Sequence, residues 1–158
     1  MQINKMTGFI GAEISGISLK DPISDDLAAE LQMVLGAHHM IVLRGQHLTL
    51  TDQKRLNAVF GQAMQLPYVS PLDTDPDVIA VLKEAHEQNS GVFGGEWHTD
   101  FSFLTSPPAG SVLNAVEIPA VGGDTVWSAQ TAAYEACPMI CSALWKAAVP
   151  SMSANPTA

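Results

Sequence analysis

The chain has 158 residues, 47% of them apolar and 15% charged, with a formal net charge of -9. Only 7 Lys and Arg stand against 16 Asp and Glu, which argues against a nucleic-acid groove. No run approaches the roughly 18 apolar residues of a membrane span, and Met1-Gln2-Ile3-Asn4-Lys5 lacks the apolar stretch of a secretory leader, so a soluble, cytoplasmic protein is expected. The length suits one domain over residues 1–158. Such a domain buries roughly 70% of its unfolded surface.

From Phe9 to Leu19, apolar and small residues alternate around glycines at 8, 11 and 16, which predicts a strand pair or a bulged hairpin. Ser24 reads as an N-cap, with Asp25 and Asp26 in the first turn. Leu27, Leu31, Val34 and Leu35 follow at helical spacing, and Gly36 is expected to end or loosen the helix. His38-His39-Met40-Ile41-Val42-Leu43 predicts a buried strand turning at Gly45, with His38 and His39 on opposite faces and His39 a satisfied core group. Arg44 is expected to cap that strand or pair with an acid. Thr51 is predicted to cap a second helix bearing Leu56, Val59 and Phe60 on one face, with Gly61 at its end.

Pro67 to Pro76 reads as a loop, Val78-Ile79-Ala80-Val81-Leu82 as an apolar strand, and residues 86–96 as a polar loop. Pro107-Pro108 precedes a predicted strand from Ser111 to Ile118, and Gly122-Gly123 turns into Thr125-Val126-Trp127. Ala129 to Ala136 reads as helix, Pro138 begins a last helix to Ala147, and 151–158 is a patternless tail expected to be flexible. Cys137 and Cys141 sit four apart and read as reduced thiols packed as small apolar groups, since structural zinc sites usually need four ligands. The order suits an α+β chain, two early helices on a mostly antiparallel sheet.

The chemistry concentrates in Gly94-Gly95-Glu96-Trp97-His98-Thr99-Asp100-Phe101. In an extended segment, residues two apart share a face, so His98 and Asp100 can aim at one point. Imidazole plus carboxylate, with a further histidine, makes the facial triad that holds non-haem Fe(II) and leaves positions open. Gly94-Gly95 allows a sharp turn into the segment, and Trp97 and Phe101 are expected to pack under it.

A second cluster, Pro119-Ala120-Val121-Gly122-Gly123-Asp124-Thr125-Val126-Trp127-Ser128, completes a wider pattern. With Ile10-Gly11-Ala12-Glu13-Ile14-Ser15-Gly16, Leu43-Arg44-Gly45-Gln46, Phe60-Gly61, Trp97-His98-Thr99-Asp100 and Pro107-Pro108-Ala109-Gly110, the chain resembles the taurine dioxygenase family of Fe(II)- and 2-oxoglutarate-dependent oxygenases. The resemblance implies a double-stranded β-helix, an eight-stranded jelly roll, of which this chain is the N-terminal part with its flanking helices. It implies Fe(II) on His98 and Asp100, 2-oxoglutarate as cosubstrate with Thr125 on its carboxylate, and Trp127 walling the pocket. Asp124 is read as holding the turn, and Glu96 either as favouring a cationic or hydroxylated small-molecule substrate or as a solvated rim acid.

The family's third ligand, a later histidine, and its carboxylate-gripping arginine have no counterpart: the five histidines are His38, His39, His47, His86 and His98, and the arginines are Arg44 and Arg55. His86, in the polar loop, is the one upstream histidine that could approach the metal. Gln62-Ala63-Met64-Gln65-Leu66-Pro67 after Phe60-Gly61 offers no histidine or cation for a sulfonate, which speaks against taurine itself. An incomplete jelly roll leaves strand edges open, so a homo-oligomer is expected, with neither membrane nor nucleic acid as partner. Two rival readings are a non-catalytic jelly-roll remnant acting as a binding or assembly module, and a zinc hydrolase at His98 and Asp100. The second does not account for Gly122 to Thr125.

Overall fold

The computed structural model describes residues 1–84, 86–87 and 94–138. They form β1 (Gln2–Lys5), β2 (Ala12–Ser15), α1 (Asp25–His38), β3 (Ile41–Leu43), α2 (Leu50–Phe60) and α3 (Gln130–Glu135). The chain divides into two compact units, Met1–Ser18 with Ala29–Gln46 and Glu117–Ala158, and Leu19–Ala28 with His47–Val116.

In the first unit the sheet has the order β1-β2-β3. β1 runs antiparallel to β2, with Gln2 opposite Ser15, and β2 runs parallel to β3, with Ala12 opposite Ile41. The sheet is therefore mixed rather than mostly antiparallel. A parallel pair needs a crossover, and α1 supplies it. The strand expected between Phe9 and Leu19 is β2, but its hairpin partner is the upstream Gln2–Lys5. Met6 N–H donates to the Gly11 carbonyl at 2.9 Å and closes that hairpin. Gly11 has φ 92, and a Cβ there would lie 3.0 Å from Met40 Cε. The turn thus needs glycine for both conformation and space.

Ala12 and Ile14 are buried while Glu13 and Ser15 are only half-buried, the alternation of a strand with one covered face. Leu31 and Val34, three apart on one helical face, are the buried residues of α1. Each fully buried Leu or Ile contributes about 1.5–3 kcal/mol over leaving it in water. Ser24 caps α1 as expected, its Oγ accepting from Leu27 N at 3.2 Å. The helix runs through Gly36 to His38, because a glycine costs only about 1 kcal/mol relative to alanine and two buried anchors precede it. His38 is consequently helical, and His39 is exposed with φ 63 at the helix exit instead of occupying a buried strand. Arg44 does pair with an acid, its Nε 3.1 Å from Glu13 Oε2 across the parallel strands.

In the second unit, the cap of α2 lies two residues earlier than the Thr51 reading. Thr49 is the N-cap, its side chain accepting from Asp52 N–H while the Asp52 carboxylate accepts from Thr49 N–H. This reciprocal box needs an acceptor three residues after the cap. Thr51 would find Lys54 there, which cannot accept. Gly61 caps the C-terminus with φ 145, its N–H donating to the Asn57 carbonyl. Leu19 and Leu56 are the buried apolar residues among those described in this unit. Arg55 Nη2 donates to the Leu19 and Lys20 carbonyls at 2.8 and 2.9 Å, and Lys54 Nζ lies 2.9 and 3.0 Å from Asp75 and Asp77.

Residues 78–82 and 111–118 form no strand among the described residues, nor does Thr125–Trp127. An apolar run becomes a strand only where a neighbour completes its ladder, and these segments are held otherwise. Val78 is tied into a turn, its carbonyl accepting from Leu72 N–H at 2.7 Å. The 111–114 segment is held by Gln53 Nε2 donating to the Val112 carbonyl at 3.1 Å and Asn114 Nδ2 donating to the Leu48 carbonyl at 3.2 Å. The expected helix after Ala129 is α3, with Ala129 and Ala136 as its caps. The helix expected from Pro138 to Ala147, Cys141 and the 151–158 tail fall outside the described residues, apart from Pro138 itself. None of the described helices is long and apolar enough to cross a membrane.

Candidate metal centre

Gly94 opens the site segment with φ 69, the left-handed turn expected of a glycine there. A Cβ on it would stand 3.2 Å from His98 Cε1, so the missing side chain also makes room for the imidazole. Phe101, directly after Asp100, has φ 47, an uncommon conformation for an aromatic residue. Leu104 N–H donates to the Phe101 carbonyl at 3.1 Å and closes this turn. The segment is thus a bend between two left-handed residues, and Asp100 lies in a turn instead of an extended strand.

The bend achieves what a strand would have done. His98 Nε2 and Asp100 Oδ1 stand 3.0 Å apart. On the other side of the ring, Nδ1 lies 2.6 Å from the Glu96 carbonyl oxygen, which can only accept, so Nδ1 carries a proton and donates. That contact, with the Asp100 carboxylate beside Nε2, holds the imidazole above its ordinary pKa. The Asp100 carboxylate accepts a second contact, from Ser111 Oγ to Oδ2 at 3.3 Å.

With Nδ1 occupied, deprotonation leaves an imidazole lone pair and a carboxylate oxygen converging on the same spot. Two neighbouring ligands about 2.1 Å from one small cation, at right angles, are about 3.0 Å apart. The observed spacing therefore fits a shared metal ion, and imidazole plus carboxylate suits a divalent transition metal. Backbone fixation of the distal ring nitrogen is the arrangement typical of metal-ligating histidines. Among the described residues no group of three or more His, Cys, Asp or Glu gathers at one point, so the pair offers two candidate ligands. His86 is exposed in a turn.

An open cleft of about 500 Å³ faces the pair, lined by Val69, Trp97, His98, Asp100, Phe101 and Phe103, with Glu96 at its wall. Trp97 does not pack beneath the segment. It is 72% exposed and belongs to the cleft, while Phe101 stacks at a tilt on Phe103 with ring centres 5.9 Å apart. Glu96 contributes its backbone to the imidazole and its residue to the cleft wall.

Thr125 and Trp127 lie in the first unit, both exposed, after Gly122 and Gly123 with φ 82 and 74. The two glycines make the expected turn, and a Cβ on Gly123 would meet Pro119 Cγ at 3.3 Å. Ser111 was missed in the sequence. It lies 11 residues from Asp100, and no local spacing relates the two.

A family model described as taurine catabolism dioxygenase TauD, TfdA family matches residues 2–147. The chain is 36% identical over 139 residues to an alkylsulfatase of Acinetobacter baylyi, covering 87% of this chain and 42% of that one. It is 32% identical over 139 residues to an alpha-ketoglutarate-dependent sulfate ester dioxygenase of Pseudomonas putida, covering 87% and 44%. Among solved structures it resembles a taurine dioxygenase from Burkholderia xenovorans, with TM-score 0.75 and 28% identity over 90% of this chain and 50% of that one. The chain spans about half the length of these relatives or less. With the family model spanning residues 2–147 of 158, the chain belongs to the TauD, TfdA dioxygenase family.

Proposed function

We propose that this chain carries part of the active site of an Fe(II)- and 2-oxoglutarate-dependent dioxygenase that oxidises a small organic substrate. The observation that carries this reading is the 3.0 Å convergence of His98 Nε2 and Asp100 Oδ1, with Nδ1 tied back to the Glu96 carbonyl. His98 and Asp100 would hold the iron, Thr125 would donate to the cosubstrate carboxylate, and Trp127 and Glu96 would border the substrate. The finer fold reading is a partial jelly roll, supported by the likeness to a solved taurine dioxygenase. When bound, iron and 2-oxoglutarate supply the oxidising power, and the protein's own task is placement.

The residues here bind and orient. Glu96 selects the ring tautomer, Ser111 holds the carboxylate, and Val69, Trp97, Phe101 and Phe103 give the cleft an apolar wall. Two relatives above 30% identity are named an alkylsulfatase and a sulfate ester dioxygenase, which makes a sulfate ester the first substrate class to test. Taurine fits less well, because the segment after Phe60-Gly61 brings no cation.

In a protein that includes this chain and turns over, His98→Ala or Asp100→Ala should abolish iron binding and succinate release together. Removal of one of three protein ligands forfeits such a site. Full activity in His98→Ala would sink the reading. The 158-residue chain by itself should bind Fe(II) weakly and release no stoichiometric succinate, because a facial triad needs a third protein ligand. Its location in the cytoplasm is part of the same proposal, as is self-association. The second unit leaves Val81, Leu82, Leu113 and Val116 exposed, apolar surface that another copy would cover. Sedimentation at micromolar concentration should show a dimer or larger. A stable monomer would refute that expectation.

A further inference from the structure

Asp100 has two carboxylate oxygens, and only one of them can face His98. Oδ1 lies 3.0 Å from His98 Nε2, and Oδ2 accepts from the Ser111 hydroxyl at 3.3 Å. A free carboxylate rotates about its terminal bond and has no preferred oxygen. A donor on Oδ2 breaks that symmetry and keeps the other oxygen, Oδ1, turned toward the imidazole, its 3.0 Å neighbour.

Ser111 is itself held from behind. Gln53, on α2, donates to the Val112 carbonyl at 3.1 Å, and Asn114 donates to the Leu48 carbonyl at 3.2 Å. Exposure alternates along the segment, with Val112 and Asn114 half-buried and Ser111 and Leu113 exposed. The polypeptide is therefore fastened to α2 and the residues before it at 112 and 114, and Ser111 is left facing Asp100. The capping box at Thr49 and Asp52 fixes where α2 begins, and hence where Gln53 stands.

We propose that Ser111 is a positioning residue, whose hydroxyl occupies Asp100 Oδ2 so that Oδ1 alone is presented, beside His98 Nε2, to a divalent metal ion. The inference rests on the reading of His98 and Asp100 as a metal pair. The Glu96 carbonyl orients the imidazole from one side, and Ser111 orients the carboxylate from the other. Loss of such an outer partner costs about 10–100-fold in metal affinity, and the lower figure suits a contact open to water.

The test is a Mn(II) titration of the chain, followed through paramagnetic broadening of the His98 ring protons and through the electron paramagnetic signal of free Mn(II). Neither readout needs turnover. Ser111→Ala should raise the Mn(II) midpoint about tenfold without lowering the thermal midpoint, and Ser111→Thr, which keeps the hydroxyl, should restore the wild-type value. Gln53→Ala should move the midpoint in the same direction by less. An unchanged midpoint in Ser111→Ala overturns the inference, as does equal loss in the Ala and Thr variants. If Mn(II) carried to millimolar concentration, where even a weak two-ligand site fills, broadens no His98 signal in the wild-type chain, the metal reading itself falls and takes this inference with it.

Discussion

The β2-α1-β3 region and the bend around His98 are built on opposite terms. In the first, burial, propensity and backbone pairing all act together: Ala12, Ile14, Leu31 and Val34 are buried, and β2 pairs with strands on both sides. In the second, no residue from Gly94 to Asp100 is buried, and no regular element contains them. Its shape rests on two left-handed residues and single hydrogen bonds at Glu96 and Ser111. Apolar burial supplies stability without regard to direction, whereas a ligand pair requires direction and supplies little stability. Changes in the two regions should therefore separate cleanly into folding defects and binding defects.

The largest effect on stability should come from Leu31→Ala, which empties a fully buried site on α1. Such deletions cost about 2–5 kcal/mol, with the His98 ring environment left as it was while the chain stays folded. Urea denaturation monitored beside the His98 ring signals would check both halves. A change below 1 kcal/mol, on the scale of a surface substitution, would show that this core contributes less than its burial implies.

A smaller effect, but one that falls on the site, is expected of Gly94→Ala. Its left-handed φ of 69 costs an alanine about 1–2 kcal/mol, and the new Cβ would press on His98 Cε1 at 3.2 Å. Gly45 provides the control, because it has φ 66 and nothing within 4 Å of its added Cβ. Both variants should lose similar stability, while only Gly94→Ala should displace the His98 ring resonances. Equal displacement in the two would mean that the spacing beside His98 has no part in aiming it.

The smallest effect belongs to the helix cap. Thr49→Ala should cost about 1 kcal/mol by removing a side-chain acceptor and half of the capping box. It should also change the response to acid. The Thr49 hydroxyl and N–H, with Arg55, hold the Asp52 carboxyl below its ordinary value of 3.8. A carboxyl lowered in the folded state binds fewer protons than in the unfolded state. Its contribution is therefore present above about pH 4 and is lost as pH falls through the lowered value. Thr49→Ala should flatten that acid limb in denaturation curves recorded between neutral pH and pH 2. An unaltered limb would place the acid sensitivity elsewhere, with Lys54 and its partner Asp75, whose carboxyl is also held low, as the next pair to test.

Much of the bend was legible because its causes lie within a few residues. The His-x-Asp spacing, the need for glycine at position 94 and the Gly122-Gly123 turn are local matters of backbone conformation, and each appears where the residue types require it. The start of α2 was legible in principle, since an N-cap and its reciprocal acid are three residues apart, but Thr49 and Thr51 compete until Asp52 and Lys54 are compared. The α1 helix crossed Gly36 because a single unfavourable residue is outweighed by anchors such as Leu31 and Val34.

What the sequence determined by itself is therefore the short-range part: the helices, the left-handed glycines, the family pattern and the two converging donors. Tertiary structure decided which apolar runs are strands, because a strand exists only where another backbone answers its N–H and carbonyl groups. For Ala12–Ser15 the answering chains are Gln2–Lys5 and Ile41–Leu43, whereas for 78–82 and 111–118 no ladder forms among the described residues. It also decided the partners of Asp100 and Val112. Ser111 and Gln53 are 11 and 59 residues away, and only the path of the folded chain brings such groups within a hydrogen bond.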